Sequence, residues 1–102
     1  MRVIAVSTLK AFWEQPVYRD AEQPLKAWIE EASKAQWQLP ADIKAQYGNA
    51  SILKNRRVVF NIKGNDYRLV VALSYKLQIA YVKFIGTHAK YDDIDAETVE
   101  TA

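Results

Sequence analysis

The chain has 102 residues, of which 50% are apolar and 25% charged, and its formal net charge is +2. This length and composition predict one globular domain spanning residues 1–102, with a single apolar core. No apolar run approaches the ~20 residues of a membrane-spanning helix, and the absence of cysteine excludes disulfides and thiolate metal sites. We therefore expect a cytoplasmic protein with no cofactor, no bound metal and no membrane contact.

The charges are segregated along the chain. Residues 1–50 contain six basic and six acidic side chains, whereas residues 51–91 contain eight basic side chains and one acidic residue, Asp66. Residues 92–102 then carry five acidic side chains. This distribution is compatible with a surface that binds a polyanion. From charge alone, a solvated surface followed by a frayed acidic tail is the favoured interpretation.

The first part of the chain predicts a strand and a helix. Arg2–Val6 is a short run rich in β-branched residues and is typical of a strand. Ser7 offers an N-cap, and Leu9, Phe12 and Trp13 follow at helical spacing. The aromatic side chains of this region could be imagined as base-stacking platforms, but at helical spacing they are interpreted as core.

A second helix is predicted to begin near Asp20, because Asp20 and Gln23 together resemble a capping box. Pro24 then lies in the first turn of the helix, where proline is tolerated. Its expected buried face consists of Leu25, Trp28, Ile29 and Ala32. Further on, Pro40–Tyr47 predicts one more turn of helix. Two helices followed by a β-meander, with one N-terminal strand, predict an α+β sandwich.

The meander begins with two apolar runs that flank Gly64-Asn65, which predicts a type II′ hairpin turn with the glycine at positive φ. A two-residue turn at this position places Asn61 opposite Arg68. Because side chains alternate along a strand, one face of the hairpin should be apolar and meet the helices. Its members are Val58, Phe60, Ile62, Tyr67, Leu69 and Val71.

The third strand is predicted to follow a turn at Lys76-Leu77, which would place Arg68 opposite Ile85 and Leu69 opposite Phe84. A three-residue turn would instead exchange the two faces. The second face of the sheet is then a mixed surface of Arg57, Val59, Asn61, Lys63, Arg68, Val70, Tyr81 and Lys83. Basic side chains beside tyrosine suit an RNA backbone with a stacked base. Cross-strand charge pairs explain the same pattern equally well.

The only histidine, His88, follows the third strand in a predicted loop, with Lys90 and Tyr91 close behind. From position alone, a single loop histidine is an ordinary surface residue. The strand register brings it near Arg68, however, and arginine, histidine and tyrosine together form a plausible set for phosphodiester cleavage. Three nearby carboxylates are interpreted as capping and solubilising groups rather than Mg²⁺ ligands: Asp92, Asp93 and Asp95.

At these residues the chain resembles the HigB family of toxins from type II toxin–antitoxin systems, within the wider RelE-like group. The resemblance rests on VVFNIKGNDYRLVV followed by YVKFIGTHAKYDDID, and it covers residues 8–95. It implies a RelE-like fold and an endoribonuclease that cuts mRNA on the ribosome without metal, using the RNA's own 2′-hydroxyl. It also implies neutralisation by a HigA-like helix-turn-helix antitoxin, with operator DNA bound only through that antitoxin.

The resemblance also implies roles for individual residues. Arg68 would stabilise the phosphate, His88 would act as a general acid or base, and Tyr91 would stack on a base or orient the 2′-hydroxyl. Lys83 completes the predicted catalytic set by holding the phosphate backbone. The predicted RNA-binding residues are Arg57, Asn61, Lys63, Tyr81 and Lys90. The leading hypothesis is thus an mRNA interferase, and the alternatives are a non-catalytic RNA- or ribosome-binding module and a protein-docking domain.

Overall fold

The computed structural model describes residues 1–101, in which helices pack on a five-stranded sheet. The elements are β1 (Arg2–Ile4), α1 (Val6–Trp13), a 3₁₀ helix (Pro16–Ala21), α2 (Glu22–Lys34), α3 (Pro40–Gln46), β2 (Ser51–Ile52), β3 (Arg57–Ile62), β4 (Tyr67–Ser74), β5 (Ile79–Thr87) and α4 (His88–Tyr91). The sheet order is β1-β5-β4-β3-β2, with only the β1–β5 pair parallel. The predicted α+β class is confirmed. Within residues 1–101, no helix combines the length and the apolar character needed to span a membrane.

Both predicted helices are present, but they begin differently from the prediction. Ser7 lies inside α1 rather than at its N-cap. Asp20 does not cap α2, because its carboxylate instead accepts hydrogen bonds from the side chains of Lys63 and Tyr67. The helical turn predicted at Pro40–Tyr47 is confirmed as α3.

The main core lies between the helices and one face of the sheet. The six residues predicted to form the apolar face of the hairpin are all buried in it, so that prediction is confirmed. Phe60 is central: its ring centroid lies 5.3 Å from that of Trp28 and 6.1 Å from that of Trp37. The aromatic side chains of the helical region are therefore core residues, as predicted.

The first hairpin has the predicted register, with Asn61 opposite Arg68 and Ile62 opposite Tyr67. Residues 63–66 form the turn. Lys63 and Gly64 both have left-handed backbone angles, with φ of 52° and 63°, although only the glycine was expected there. This turn directs the Lys63 side chain towards the 3₁₀ helix, where its ammonium meets Asp20.

The second hairpin turns at Lys76-Leu77, as predicted, and Ala72 lies opposite Tyr81. A β-bulge then follows between Val70 and Val71. A bulge places two residues of one strand opposite one residue of its partner, and it bends and twists the strand locally. The alternation of side chains does not reveal this extra residue, so the predicted pairing is correct only up to the bulge.

Beyond the bulge the pairing shifts by one residue. Arg68 lies opposite Gly86 rather than Ile85, and Leu69 lies opposite Ile85 rather than Phe84. Phe84 consequently packs on the second face of the sheet and not in the main core. The pairings predicted beyond the bulge are wrong, and the corrected register places the Phe84 ring against Gly86, which lies opposite Arg68.

The second face of the sheet is partly covered by the C-terminal segment, residues 94–100. Its apolar side chains Ile94, Ala96 and Val99 pack against a group that includes Leu53, Val59, Val70, Phe84 and Tyr91. Arg57 is buried beneath this segment, and its guanidinium donates hydrogen bonds to the Val99 carbonyl and the Glu100 carboxylate. The expected open surface is therefore wrong at Arg57. The expected frayed tail is also wrong, because its apolar residues bury themselves on the sheet.

Candidate functional site

Arg68 lies on the second face, at the end of β4 nearest the first hairpin turn. Its Nη1 donates a hydrogen bond to the Asn65 carbonyl at 3.1 Å, and the side chain remains partly exposed. A guanidinium has five N–H donors, so this contact orients the group and leaves donors for a ligand. Gly86, directly opposite, adds no side chain that would cover it.

The one-turn helix α4 carries His88 and Tyr91 to the same end of the sheet. Thr87 caps it, since its Oγ1 accepts a hydrogen bond from the Lys90 amide at 3.2 Å. The His88 amide donates to the Asp66 carbonyl at 3.3 Å, which joins α4 to the hairpin turn. The predicted loop position of His88 is therefore wrong, and the missed signal was a threonine at an N-cap position.

The rings of Tyr91 and Phe84 complete a stack with Arg68. The Arg68 Cζ lies 6.0 Å from the centroid of the Tyr91 ring, a cation–π distance. The Tyr91 ring is in turn 6.4 Å from the Phe84 ring. Sequence reasoning missed Phe84, because the unrecognised bulge had assigned it to the core. The stack restricts the guanidinium to one side of the sheet before any ligand binds.

His88 lies beside this stack and is exposed to solvent. Its Nε2 is 3.7 Å from Asp92 Oδ1, one helical turn further on. Residues three apart on a helix lie on the same side, so His88 and Tyr91 face the same region. The structure thus brings three of the predicted catalytic residues, Arg68, His88 and Tyr91, to one exposed rim.

A profile of the HigB toxins, described as the RelE-like toxic component of a toxin–antitoxin system, matches residues 21–94. The match extends from the start of α2 through the whole of this rim. The chain belongs to the HigB toxin family. The predicted family is therefore confirmed, and a toxin of this class implies an antitoxin as partner.

Individual relatives of this HigB-family chain carry names that describe an activity. The mRNA interferase toxin HigB of Escherichia coli K12 is 28% identical over 94 residues, covering 90% of this chain and 88% of the relative. Proteins named mRNA interferase HigB in Escherichia coli O157:H7 and Shigella flexneri match to the same extent.

Two further predicted residues of this HigB-family chain, Lys83 and Tyr81, lie apart from the rim. Lys83 is on the same face of β5, three residues before Gly86, which corresponds to roughly 10 Å along the strand. Its Nζ is 2.6 Å from Glu100 Oε2 and 5.7 Å from the centroid of the Tyr81 ring. The structure therefore places Lys83 on the predicted surface but does not bring it into the Arg68 stack.

The remaining predicted RNA-binding residues have different surroundings. Lys63 was expected on the second face, but its Nζ lies 2.7 Å from Asp20 and 3.4 Å from Asp66, on the side of the 3₁₀ helix. That expectation is wrong, because the left-handed backbone of the turn redirects the side chain. Lys90 is exposed on α4, and Asn61 is partly exposed opposite Arg68.

No group of three or more His, Asp and Glu side chains within residues 1–101 is arranged to hold a metal ion. The carboxylates that follow α4 take part in local contacts instead. Asp92 lies near His88, and the Asp95 side chain accepts a hydrogen bond from the Glu97 amide at 3.0 Å. The Asp95 contact agrees with the predicted capping role, whereas Asp92 lies at the C-terminal end of α4.

Asp20 fastens the first hairpin turn to the helical layer. Hydrogen bonds from Lys63 and Tyr67 hold the pKa of Asp20 below its ordinary value of 3.8. A carboxylate with a lowered pKa stabilises the fold above its unfolded-state pKa and loses that contribution as the pH falls through the folded-state pKa. We expect Asp20→Asn to lower the melting temperature at pH 7, with the difference from wild type shrinking as the pH falls below 3.8 towards the lowered pKa of Asp20. Thermal unfolding at several pH values tests this, and a constant difference down to the most acidic pH would contradict it.

The Phe84 ring packs against Gly86 in the space that a larger side chain at this position would occupy. A Cβ added at Gly86 would lie 2.6 Å from Phe84 Cζ, so the ring would have to move away and disturb its contact with Tyr91. We expect Gly86→Ala to shift the aromatic NMR signals of both rings and to cost about 1–3 kcal/mol of stability. Gly48→Ala is the control, because within residues 1–101 no atom outside its two chain neighbours lies within 4 Å of the added Cβ. Equal spectra for wild type and Gly86→Ala would contradict this account of the stack.

Proposed function

We propose that this chain is an endoribonuclease that cleaves mRNA during translation on the ribosome. The observation that carries the proposal is the contact of Arg68 with Tyr91 next to His88, on an exposed rim of the sheet. Membership of the HigB family and the names of the relatives support the same activity. The chemistry proposed is attack by the 2′-hydroxyl of the RNA on the adjacent phosphate, as the family resemblance implies.

In this proposal Arg68 binds the scissile phosphate. Its guanidinium stays charged at any physiological pH and can donate to two phosphate oxygens at once. As the 2′-oxygen attacks, negative charge accumulates on the non-bridging oxygens of the phosphorane. A donor that is already oriented stabilises this charge without reorganisation, and the Asn65 carbonyl and the Tyr91 ring supply that orientation.

His88 and Tyr91 supply proton transfer and positioning. His88 is proposed as the general acid that protonates the departing 5′-oxygen, because imidazole can donate a proton near neutral pH. Tyr91 orients the nucleotide that carries the attacking 2′-hydroxyl, by stacking on its base or by hydrogen bonding. The 2′-hydroxyl proton passes to solvent, and the products are a 2′,3′-cyclic phosphate and a 5′-hydroxyl.

The second face of the sheet provides the path for the RNA backbone. Asn61 and Lys90 flank the rim, while Tyr81 and Lys83 lie further along β5. A cation next to an exposed aromatic ring suits a phosphate followed by a stacked base. Lys63 is not included, since its ammonium lies away from this face, on the side of the 3₁₀ helix that carries Asp20.

The proposed setting is the cytoplasm, where translating ribosomes present mRNA. The proposed antitoxin is HigA-like, with a helix-turn-helix domain, so operator DNA is contacted through the antitoxin and not by this chain. These partners follow from the family resemblance.

Inducible expression in a bacterial host, with mapping of 5′ ends across the transcriptome, tests the proposal. The expected result is growth arrest and new mRNA 5′ ends within translated regions. His88→Ala should reduce both if His88 is the general acid. RNA association without any new 5′ ends would favour the non-catalytic binding module instead.

A further inference from the structure

We propose that Arg57 and Lys83 form an anion site that takes a backbone phosphate of the RNA, and that the Glu100 carboxylate occupies this site in the free protein. The identity of the anion as RNA rests on the proposed function. The site itself is argued from the contacts of these three side chains. It lies on the same sheet face as Arg68 but is separate from the Arg68–Tyr91 stack.

One carboxylate bridges the two cations. Glu100 Oε1 lies 2.9 Å from Arg57 Nη2, and Oε2 lies 2.6 Å from Lys83 Nζ. The Arg57 guanidinium also donates to the Val99 carbonyl. Two donor groups thus converge on a pair of acceptor oxygens. A phosphodiester presents a similar pair in its two non-bridging oxygens.

The cations belong to the rigid sheet, whereas the carboxylate approaches from outside. The side chain of Arg57 is 7% exposed and that of Lys83 is 23% exposed, while that of Glu100 is 59% exposed. Arg57 is the first residue of β3, paired with Ala72, and Lys83 lies at the bulge of β5. Glu100 follows an irregular segment that contains neither helix nor strand.

A nearly buried guanidinium requires an anionic or hydrogen-bonding partner, because leaving it unpaired is costly. The partner need not be Glu100, however, because the Val99 carbonyl already accepts a hydrogen bond from the guanidinium and the Glu100 carboxylate is 59% exposed, so that salt screens its attraction to the cations. A polyanion that makes further contacts along the sheet can therefore displace this carboxylate. Lys83 foremost, together with Arg57, lowers the pKa of Glu100, so the competing group is ionised at neutral pH.

The surroundings favour RNA over an isolated anion. Lys83 Nζ lies 5.7 Å from the ring centroid of Tyr81, whose side chain is exposed and available for base stacking. The site is also on the sheet face that leads to Arg68, roughly 10 Å along β5. RNA lying along this face would place one phosphate at Arg68 and another at the Arg57–Lys83 site.

The test compares two glutamates of the same segment. Glu100→Gln removes the competing charge. Glu97→Gln is the matched control, because the Glu97 carboxylate accepts a hydrogen bond from the Lys54 amide and, within residues 1–101, pairs with neither cation of the site. The probe is a 2′-O-methyl oligoribonucleotide, which cannot be cleaved, and binding is measured at ~0.1 M salt. Glu100→Gln should bind about fivefold tighter than wild type, as expected for loss of one ion pair, with less than about a twofold change for Glu97→Gln.

A further variant, Lys83→Gln, tests whether the effect of Glu100→Gln on RNA binding acts through Lys83. The gain from Glu100→Gln should disappear when Lys83 is also replaced, since the two changes act on one site. Equal gains from Glu100→Gln and Glu97→Gln would overturn the proposal in favour of a general charge effect. Tighter binding of oligoglutamate by Glu100→Gln, with RNA binding unchanged, would also overturn it, since the site would then serve an acidic protein.

Failure of this inference and failure of the proposed function give different results. If wild type cuts no mRNA in a translation extract, the proposed function fails, but the binding comparison can still favour Glu100→Gln. If wild type cuts mRNA and the two glutamine variants bind RNA alike, only the Arg57–Lys83 site is wrong. Circular dichroism of Glu100→Gln should match wild type because the replaced carboxylate is largely exposed.

Discussion

Replacing Arg68 with alanine should reduce mRNA cleavage by about 10²–10³-fold, the loss typical of removing one oriented donor to a developing oxyanion. Arg68 is the cation that contacts both Tyr91 and the hairpin turn at the rim. Its side chain is outside the main core, so the variant should fold normally. Cleavage rates in a translation extract, together with the circular dichroism spectrum, measure the two expectations separately.

Two control variants sharpen this result. Arg68→Lys keeps the charge but loses the fork that binds two oxygens, so it should recover only part of the activity. Arg19→Ala removes an exposed arginine of the 3₁₀ helix, on the helical side of the molecule, and should leave cleavage unchanged. If Arg68→Ala and Arg19→Ala had equal activity, the assignment of Arg68 to the reacting phosphate would be wrong.

Replacing Phe60 with alanine should cost about 3–5 kcal/mol of the free energy of unfolding, the range for deleting a buried aromatic ring. Phe60 is 1% exposed. Its ring packs against the rings of Trp28 in α2 and of Trp37 and Tyr47, which lie on either side of α3. Loss of its ring leaves a cavity lined by three other rings that cannot all collapse into it. This is the largest stability effect that we expect from a single substitution.

Urea unfolding monitored by tryptophan fluorescence measures this loss, since Trp28 and Trp37 lie against the deleted ring. Val17→Ala is the control, because Val17 is 73% exposed and its truncation should change stability by less than about 0.5 kcal/mol. A change smaller than 1 kcal/mol for Phe60→Ala would mean that the core tolerates the cavity and that Phe60 is not central.

The parts of the fold that could be predicted are those set by local rules. The two apolar runs around Gly64-Asn65 determine a register, and that register determines which side chains face the helices. The bulge near Val70 could not be predicted in the same way, because its extra residue leaves a plausible alternation on both sides. The position of Phe84 depends on that bulge and was therefore wrong.

The rim could be predicted as a group, since Arg68, His88 and Tyr91 are close once β4 and β5 are paired. Its surroundings depend on contacts between residues far apart in sequence. Burial of Arg57 requires the C-terminal segment to fold back over about forty residues of chain, and the redirection of Lys63 requires Asp20 from the helical layer. Composition and spacing carry little information about such long-range ion pairs.

In the reaction that we propose, the 2′-hydroxyl of the RNA attacks the adjacent phosphate at the Arg68 rim. The most direct measurement uses the purified chain in a translation extract with an mRNA that has 2′-deoxyribose at a single mapped cleavage site. We expect the all-ribose mRNA to be cut there to leave a 2′,3′-cyclic phosphate, and the substituted mRNA to remain uncut at that site. Equal cutting of the two mRNAs, or no cutting of either, would contradict it.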